Sequence, residues 1–133
     1  MNENKLREQI CTLASSMFDR GITHGSTGNI SVRLDNDDIL VTPSGSSFGR
    51  LEPNEIVKVT KSGQFIGSLS PTKELPLHKA FYETRGMKSG AVVHLHSTHS
   101  VALSMLPGIN EDNVLPSYTP YSIMLLGKVK LLP

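Results

Sequence analysis

Three of the five histidines fall within six residues, in the run His94-Leu95-His96-Ser97-Thr98-His99. In a β-strand, residues two apart point to one side, so His94 and His96 would project together with their Cβ atoms about 7 Å apart. Two imidazoles converging from that separation can share a cation at about 2.0–2.1 Å from each nitrogen. The same pattern also serves as two polar residues on a solvated strand face; the clustering of histidines weighs toward a metal. Glu74 is the next candidate, in the first turn of a predicted helix with His78 one turn later on the same face. A carboxylate there complements the helix dipole, worth about 0.3–1 kcal/mol. If that helix end faces the histidine strand, the carboxylate can also ligate an ion or move a proton. Three short polar loops complete the set: Gly28-Asn29, Thr42-Pro43-Ser44-Gly45 and Ser70-Pro71-Thr72-Lys73. Their backbone N–H groups and hydroxyls, with a helix start and a lysine in the last, suit a phosphate, although each is also an adequate turn. None matches a P-loop or a dinucleotide fingerprint.

Elements able to position these residues are readable from periodicity. Leu6, Ile10, Leu13, Met17 and Phe18 trace a helical stripe over residues 4–20, with Gly21 at its C-terminal stop and Cys11 counted as core. Residues 30–34 and 39–42 read as strands joined through Asp35-Asn36-Asp37-Asp38, and 56–60 and 64–66 as a second hairpin around Lys61-Ser62-Gly63. Ser70-Pro71-Thr72 opens a helix over 73–84, with Pro76 tolerated in its first turn. Residues 91–96 read as a strand that carries the histidines on one face and Val93 and Leu95 on the other, toward the core. A helix over 98–106 ends at Pro107-Gly108, and 123–126 and 129–132 read as late strands around Gly127. His24 borders the glycine loop within reach of a ligand, and His99 opens a helix where it could support the metal ligands. Mixed helices and hairpins imply a layered α/β domain with a largely antiparallel central sheet.

Composition removes several other function classes. The chain has 133 residues, 38% hydrophobic and 19% charged, enough apolar material for one core. Thirteen Lys and Arg against twelve Asp and Glu leave a net charge of +1, and there is no Trp, so nucleic acid is a poor match. No apolar run reaches the ~18 residues of a membrane span, and the charged N-terminus does not look like a signal peptide. The single Cys11 excludes an intramolecular disulfide. A cytoplasmic location is the expectation, with neither membrane nor nucleic acid as partner. The last residues, LGKVKLLP, read as a strand still under way, which predicts a domain incomplete at its C-terminus.

Taken together, Gly25-Ser26-Thr27-Gly28-Asn29-Ile30-Ser31, Thr42-Pro43-Ser44-Gly45, Pro71-Thr72-Lys73-Glu74-Leu75-Pro76-Leu77-His78 and Ala91-Val92-Val93-His94-Leu95-His96-Ser97 resemble the class II aldolase/adducin family. The resemblance covers essentially the whole chain, residues 1–133, as the N-terminal part of one such domain. It implies a layered α/β/α fold. Within the family, Lys73, the segment from His94 to Ser104 and Tyr118-Thr119-Pro120-Tyr121 are most similar to the decarboxylases of 3-oxo-tetronate 4-phosphates. The resemblance implies a divalent metal, normally zinc, with His94, His96 and Glu74 as ligands and Glu74 as the acid/base residue. It implies that Gly28, Asn29, Ser44, Gly45, Thr72 and Lys73 hold a substrate phosphate, and that the protein is a homo-oligomer, usually a tetramer. The resemblance implies a third histidine ligand in a segment beyond residue 133. The implied reaction is metal-dependent loss of CO2 through a zinc-stabilised enediolate, giving dihydroxyacetone phosphate. The alternatives are a sugar-phosphate aldolase of fuculose or ribulose type, which shares that enediolate, and an inert adducin-like interaction module or fragment.

Overall fold

The computed structural model describes residues 2–116 and 119–132. The described residues form two compact units, divided after His96, and each is treated separately.

The first unit opens with α1 (Glu3–Asp19), capped by the Asn2 side chain, which accepts from the Asn4 N–H at 2.9 Å. It stops where expected. Gly21, at φ +67°, lets its own N–H reach the Phe18 carbonyl and the Ile22 N–H reach that of Met17, at 2.9 and 3.0 Å. The buried face is Leu6, Ile10, Ala14 and Met17. Leu13, assigned to that stripe from sequence, is 48% exposed instead. Spacings of 4, 4 and 3 select Ala14, and Leu13 lies about 100° behind it on the helical wheel.

The strands are β1 (Asn29–Arg33), β2 (Ile39–Val41), β3 (Val57–Val59), β4 (Phe65–Ile66) and β5 (Ala91–His94). They form an antiparallel sheet in the order β4-β3-β2-β1-β5. Both expected hairpins are present, and Asp37 takes the left-handed conformation in the first. Alternation along the strands sorts the core into two layers. Ile30 and Leu40 pack with α1, Phe48, Leu51 and Ile56 on one face. Ile39, Val41, Val57 and Val59 pack with Leu75 and Tyr82 of α2 (Leu75–Arg85) on the other. Arg33 ties α2 to β1: its guanidinium donates to the Gly86 and Ser89 carbonyls at 2.5 and 2.9 Å and lies over the Tyr82 ring.

β5 corrects the sequence reading twice. It ends at His94, so Leu95 and His96 lie outside the strand. Leu95 packs against the α1-side core, but Val93 is 43% exposed because β5 is a sheet edge among the described residues.

The second unit holds α3 (Thr98–Ser104) and α4 (Pro120–Leu126). The strand expected over 123–126 is therefore a helix. Thr119 caps it through the Ser122 N–H, Pro120 occupies its first turn, and Gly127 closes it with a bond to the Ile123 carbonyl at 3.0 Å. A four-residue apolar run fits either structure, and these end signals decide it. Residues 129–132 do not form the expected strand, although the Val114 N–H reaches the Val129 carbonyl and the Leu131 N–H that of Glu111, both at 2.9 Å. Tyr118 lies outside the described residues. No helix among the described residues is long and apolar enough to cross a membrane.

Candidate functional site

The histidine strand and the three polar loops meet at one end of the first unit. β1 and β5 pair so that Asn29 lies opposite His94. Gly28, just before Asn29, has φ +84°, and a Cβ there would stand 3.2 Å from the His94 carbonyl oxygen and 3.3 Å from the Leu95 and Phe48 side chains. Only glycine brings this loop so close to His94. Upstream, the Thr23 hydroxyl donates to the Thr27 carbonyl at 2.9 Å and the Thr27 hydroxyl to the His24 carbonyl at 2.7 Å, which closes the loop. His24 itself is exposed.

Buried Thr42 joins the second loop to the first and the third. Its hydroxyl accepts from the Ile30 N–H at 3.1 Å, its N–H donates to the Ile30 carbonyl, and its carbonyl accepts from the Thr72 N–H, both at 3.0 Å. A bridge between Pro43 and Pro71 and a 3.0 Å bond from the Ser44 N–H to the Ser70 carbonyl continue the contact. Ser44 and Gly45 therefore sit beside the start of α2, both exposed, with Gly45 at φ +71°. The Thr72 hydroxyl accepts from the Glu74 N–H at 3.3 Å, and the carboxylate and Lys73 are exposed.

His94 is half-buried, and its Nδ1 has neither solvent nor a hydrogen-bond partner. Its ring lies 5.0 Å from that of His96, centroid to centroid, tilted by 46°. Burial and the neighbouring His96 push the His94 pKa down, and the Glu74 charge opposes them. An unpartnered buried imidazole nitrogen beside a second imidazole, within the field of a carboxylate, is a donor set suited to a divalent cation. Among the described residues, however, no three His, Cys, Asp or Glu side chains gather closely enough to hold a metal ion.

Sequence reasoning missed two members of the neighbourhood, Ser31 and Tyr82. His78 of α2 is fully buried and bonded at both ring nitrogens, Nδ1 to the Ser31 hydroxyl at 2.7 Å and Nε2 to Asn29 Oδ1. The Tyr82 hydroxyl meets the same Ser31 hydroxyl at 2.7 Å. Burial, followed by the neighbouring His94, lowers the His78 pKa to about 4, against a smaller opposing effect of Glu74, so the ring is neutral at pH 7. Burial also pushes the Tyr82 phenol up. A neutral imidazole has one donor and one acceptor. Because Asn29 Oδ1 only accepts, Nε2 carries the hydrogen and Nδ1 accepts from Ser31. The available signal was spacing, with Asn29 and Ser31 two apart on a strand and Glu74, His78 and Tyr82 four apart on a helix.

This two-faced antiparallel α/β unit, with a histidine strand set against docked polar loops, is the architecture of a class II aldolase-type domain. Residues 8–133 match the profile of the Class II Aldolase and Adducin N-terminal domain, and the chain belongs to that family. It is 44% identical to the 3-oxo-tetronate 4-phosphate decarboxylases of Cupriavidus necator and Escherichia coli, over 98% of its own length and 59% and 61% of theirs. It is 36% identical to the L-fuculose phosphate aldolase of Escherichia coli, over 80% of this chain and 48% of that one. Among solved structures, YgbL of Escherichia coli matches with a TM-score of 0.90 and 42% identity, covering 98% of this chain and 63% of that one. The chain thus spans about three fifths of the length of the decarboxylases it resembles.

Proposed function

We propose that this chain forms the metal- and phosphate-binding part of a cytoplasmic, homo-oligomeric 3-oxo-tetronate 4-phosphate decarboxylase. The observation that carries this reading is the buried, unpartnered Nδ1 of His94 beside His96, next to the loops that hold Asn29, Ser44 and Thr72. Similarity to the decarboxylases at 44% identity, against 36% to the fuculose phosphate aldolase, supports CO2 rather than an aldehyde as the leaving fragment.

His94 and His96 would hold a divalent metal, zinc by the chemistry of imidazole donors, and Glu74 would join them only by moving closer than it stands here. When bound, the ion supplies a Lewis acid for the charge that develops on a substrate oxygen. The chain's own groups account for the rest. The Gly28 and Gly45 N–H groups, the Asn29 carboxamide and the Ser44 and Thr72 hydroxyls, with the Lys73 ammonium, hold the phosphate and so fix the distance of the reacting carbons from it. As the bond to the carboxylate breaks, CO2 departs and its electron pair passes into the enediolate of the remaining three carbons. Glu74, exposed at the start of α2, returns a proton to carbon to give dihydroxyacetone phosphate.

The test uses the full-length protein with a phosphorylated 3-oxo acid, following CO2 and aldehyde release side by side. CO2 release is expected, falling by about 10²–10³-fold in His94→Ala, the loss seen when a main electrostatic stabiliser is removed. Activity that survives His94→Ala or complete metal removal would overturn the reading.

A further inference from the structure

An asparagine carboxamide has two ends of nearly equal shape and opposite polarity. Turned one way, Asn29 offers two N–H donors to an anion; turned over, it offers a carbonyl oxygen that repels one. In this protein the choice is made by neighbours. Asn29 Oδ1 stands at His78 Nε2 and can only accept, so Nε2 carries the hydrogen, Nδ1 accepts from the Ser31 hydroxyl, and that hydroxyl, its one hydrogen spent, accepts from Tyr82. With Oδ1 at Nε2 all three hydrogen bonds are made at once and the chain runs in one direction. Ser31 and His78 are fully buried and Tyr82 and Asn29 only 5% exposed, so water has little access to reverse it. None of these bonds uses Asn29 Nδ2. Both ring nitrogens of His78 are engaged, which removes it from the possible metal ligands.

We infer that Tyr82, Ser31 and His78 form a positioning network that locks the Asn29 carboxamide with Nδ2 toward the substrate phosphate. The inference deepens the proposed function and rests on its assignment of Asn29 to the phosphate. None of the three need touch substrate. Removing the Ser31 hydroxyl frees His78 to place its hydrogen on Nδ1. Nε2 then becomes an acceptor, and the carboxamide turns over to donate to it, presenting Oδ1 to the phosphate.

The test is a double-mutant cycle on the full-length enzyme with Ser31→Ala, Asn29→Ala and the pair, reading kcat, KM for the phosphorylated substrate and the inhibition constant of inorganic phosphate. Ser31→Ala is expected to raise KM and the phosphate constant together by about tenfold, the scale of one hydrogen bond to a charged group, with kcat within about twofold. The pair is expected to be no worse than Asn29→Ala alone, because the hydroxyl acts only through that side chain. Tyr82→Phe enters the same cycle as a milder variant that keeps the Ser31 donor, and it must show the same non-additivity. Effects that multiply, or a Ser31→Ala enzyme with both constants unchanged while Asn29→Ala alters them, would overturn the positioning role alone. If Asn29→Ala itself changes neither constant, the phosphate assignment falls, and this inference with it.

Discussion

The buried neutral imidazole of His78 makes stability depend on pH in a way that can be worked out in advance. Its folded pKa of about 4 lies below the ordinary histidine value of 6.5, chiefly through burial. Below 6.5 the unfolded chain therefore binds a proton that the folded one refuses. The stabilisation is complete above the unfolded pKa and is lost as pH falls from 6.5 through about 4. At about 1.36 kcal/mol per pKa unit, the total is about 3 kcal/mol, of which about 2 is lost between pH 7 and pH 5. The assay is urea unfolding of wild type and His78→Gln at both pH values with chelator present, so that titration of the other histidines is common to both proteins. With a urea slope of about 1–3 kcal/mol per molar, the wild-type midpoint should fall by about 1 M more than that of the variant. At pH 7 the variant should be the less stable of the two, because it disrupts a buried network. Midpoints that fall in parallel would refute the claim that His78 is held neutral by its surroundings.

Two further outcomes follow from the geometry. Gly28→Ala should cost about 1–3 kcal/mol in unfolding free energy, since φ +84° and contacts of 3.2–3.3 Å oppose a Cβ, and it should weaken metal binding by displacing His94, measured by zinc titration. The Cys11 thiol, raised to about 11 by burial and then by Glu52 and Glu55, should react with a thiol reagent at pH 8 about 100-fold more slowly in native than in unfolded protein.

Local chemistry made much of the fold legible. The Asp35-Asn36-Asp37-Asp38 and Lys61-Ser62-Gly63 turns announce their hairpins, and Gly21 ends α1 as glycine does at a helix stop. The four apolar residues Ile123-Met124-Leu125-Leu126 misled because such a run has no period of its own; Thr119-Pro120 before it and Gly127 after it carried the information. Around the candidate site, the clustering of histidines is what singles out His94 in the sequence. The end of β5 could not, since nothing in Leu95 or His96 forbids an extended backbone, and the strand stops where pairing with β1 stops at Asn29. The link from Ser31 to His78 and Tyr82 was hidden for a different reason. It depends on α2 lying over β1, a contact between segments about 50 residues apart that no local pattern encodes.

β1 carries two messages in alternate letters. Asn29 and Ser31 face α2, whereas Ile30 packs on the α1 side. One residue inserted or deleted within that strand would exchange the two sets, sending apolar groups to the site and polar ones to the core. A change of length in this short stretch would therefore cost the site and the core together. The Asp35-Asn36-Asp37-Asp38 turn at its far end lies outside that alternation, so a change of length there would keep Asn29 and Ser31 facing α2 while giving up the bonds of Asp38 to Lys58 and Lys61.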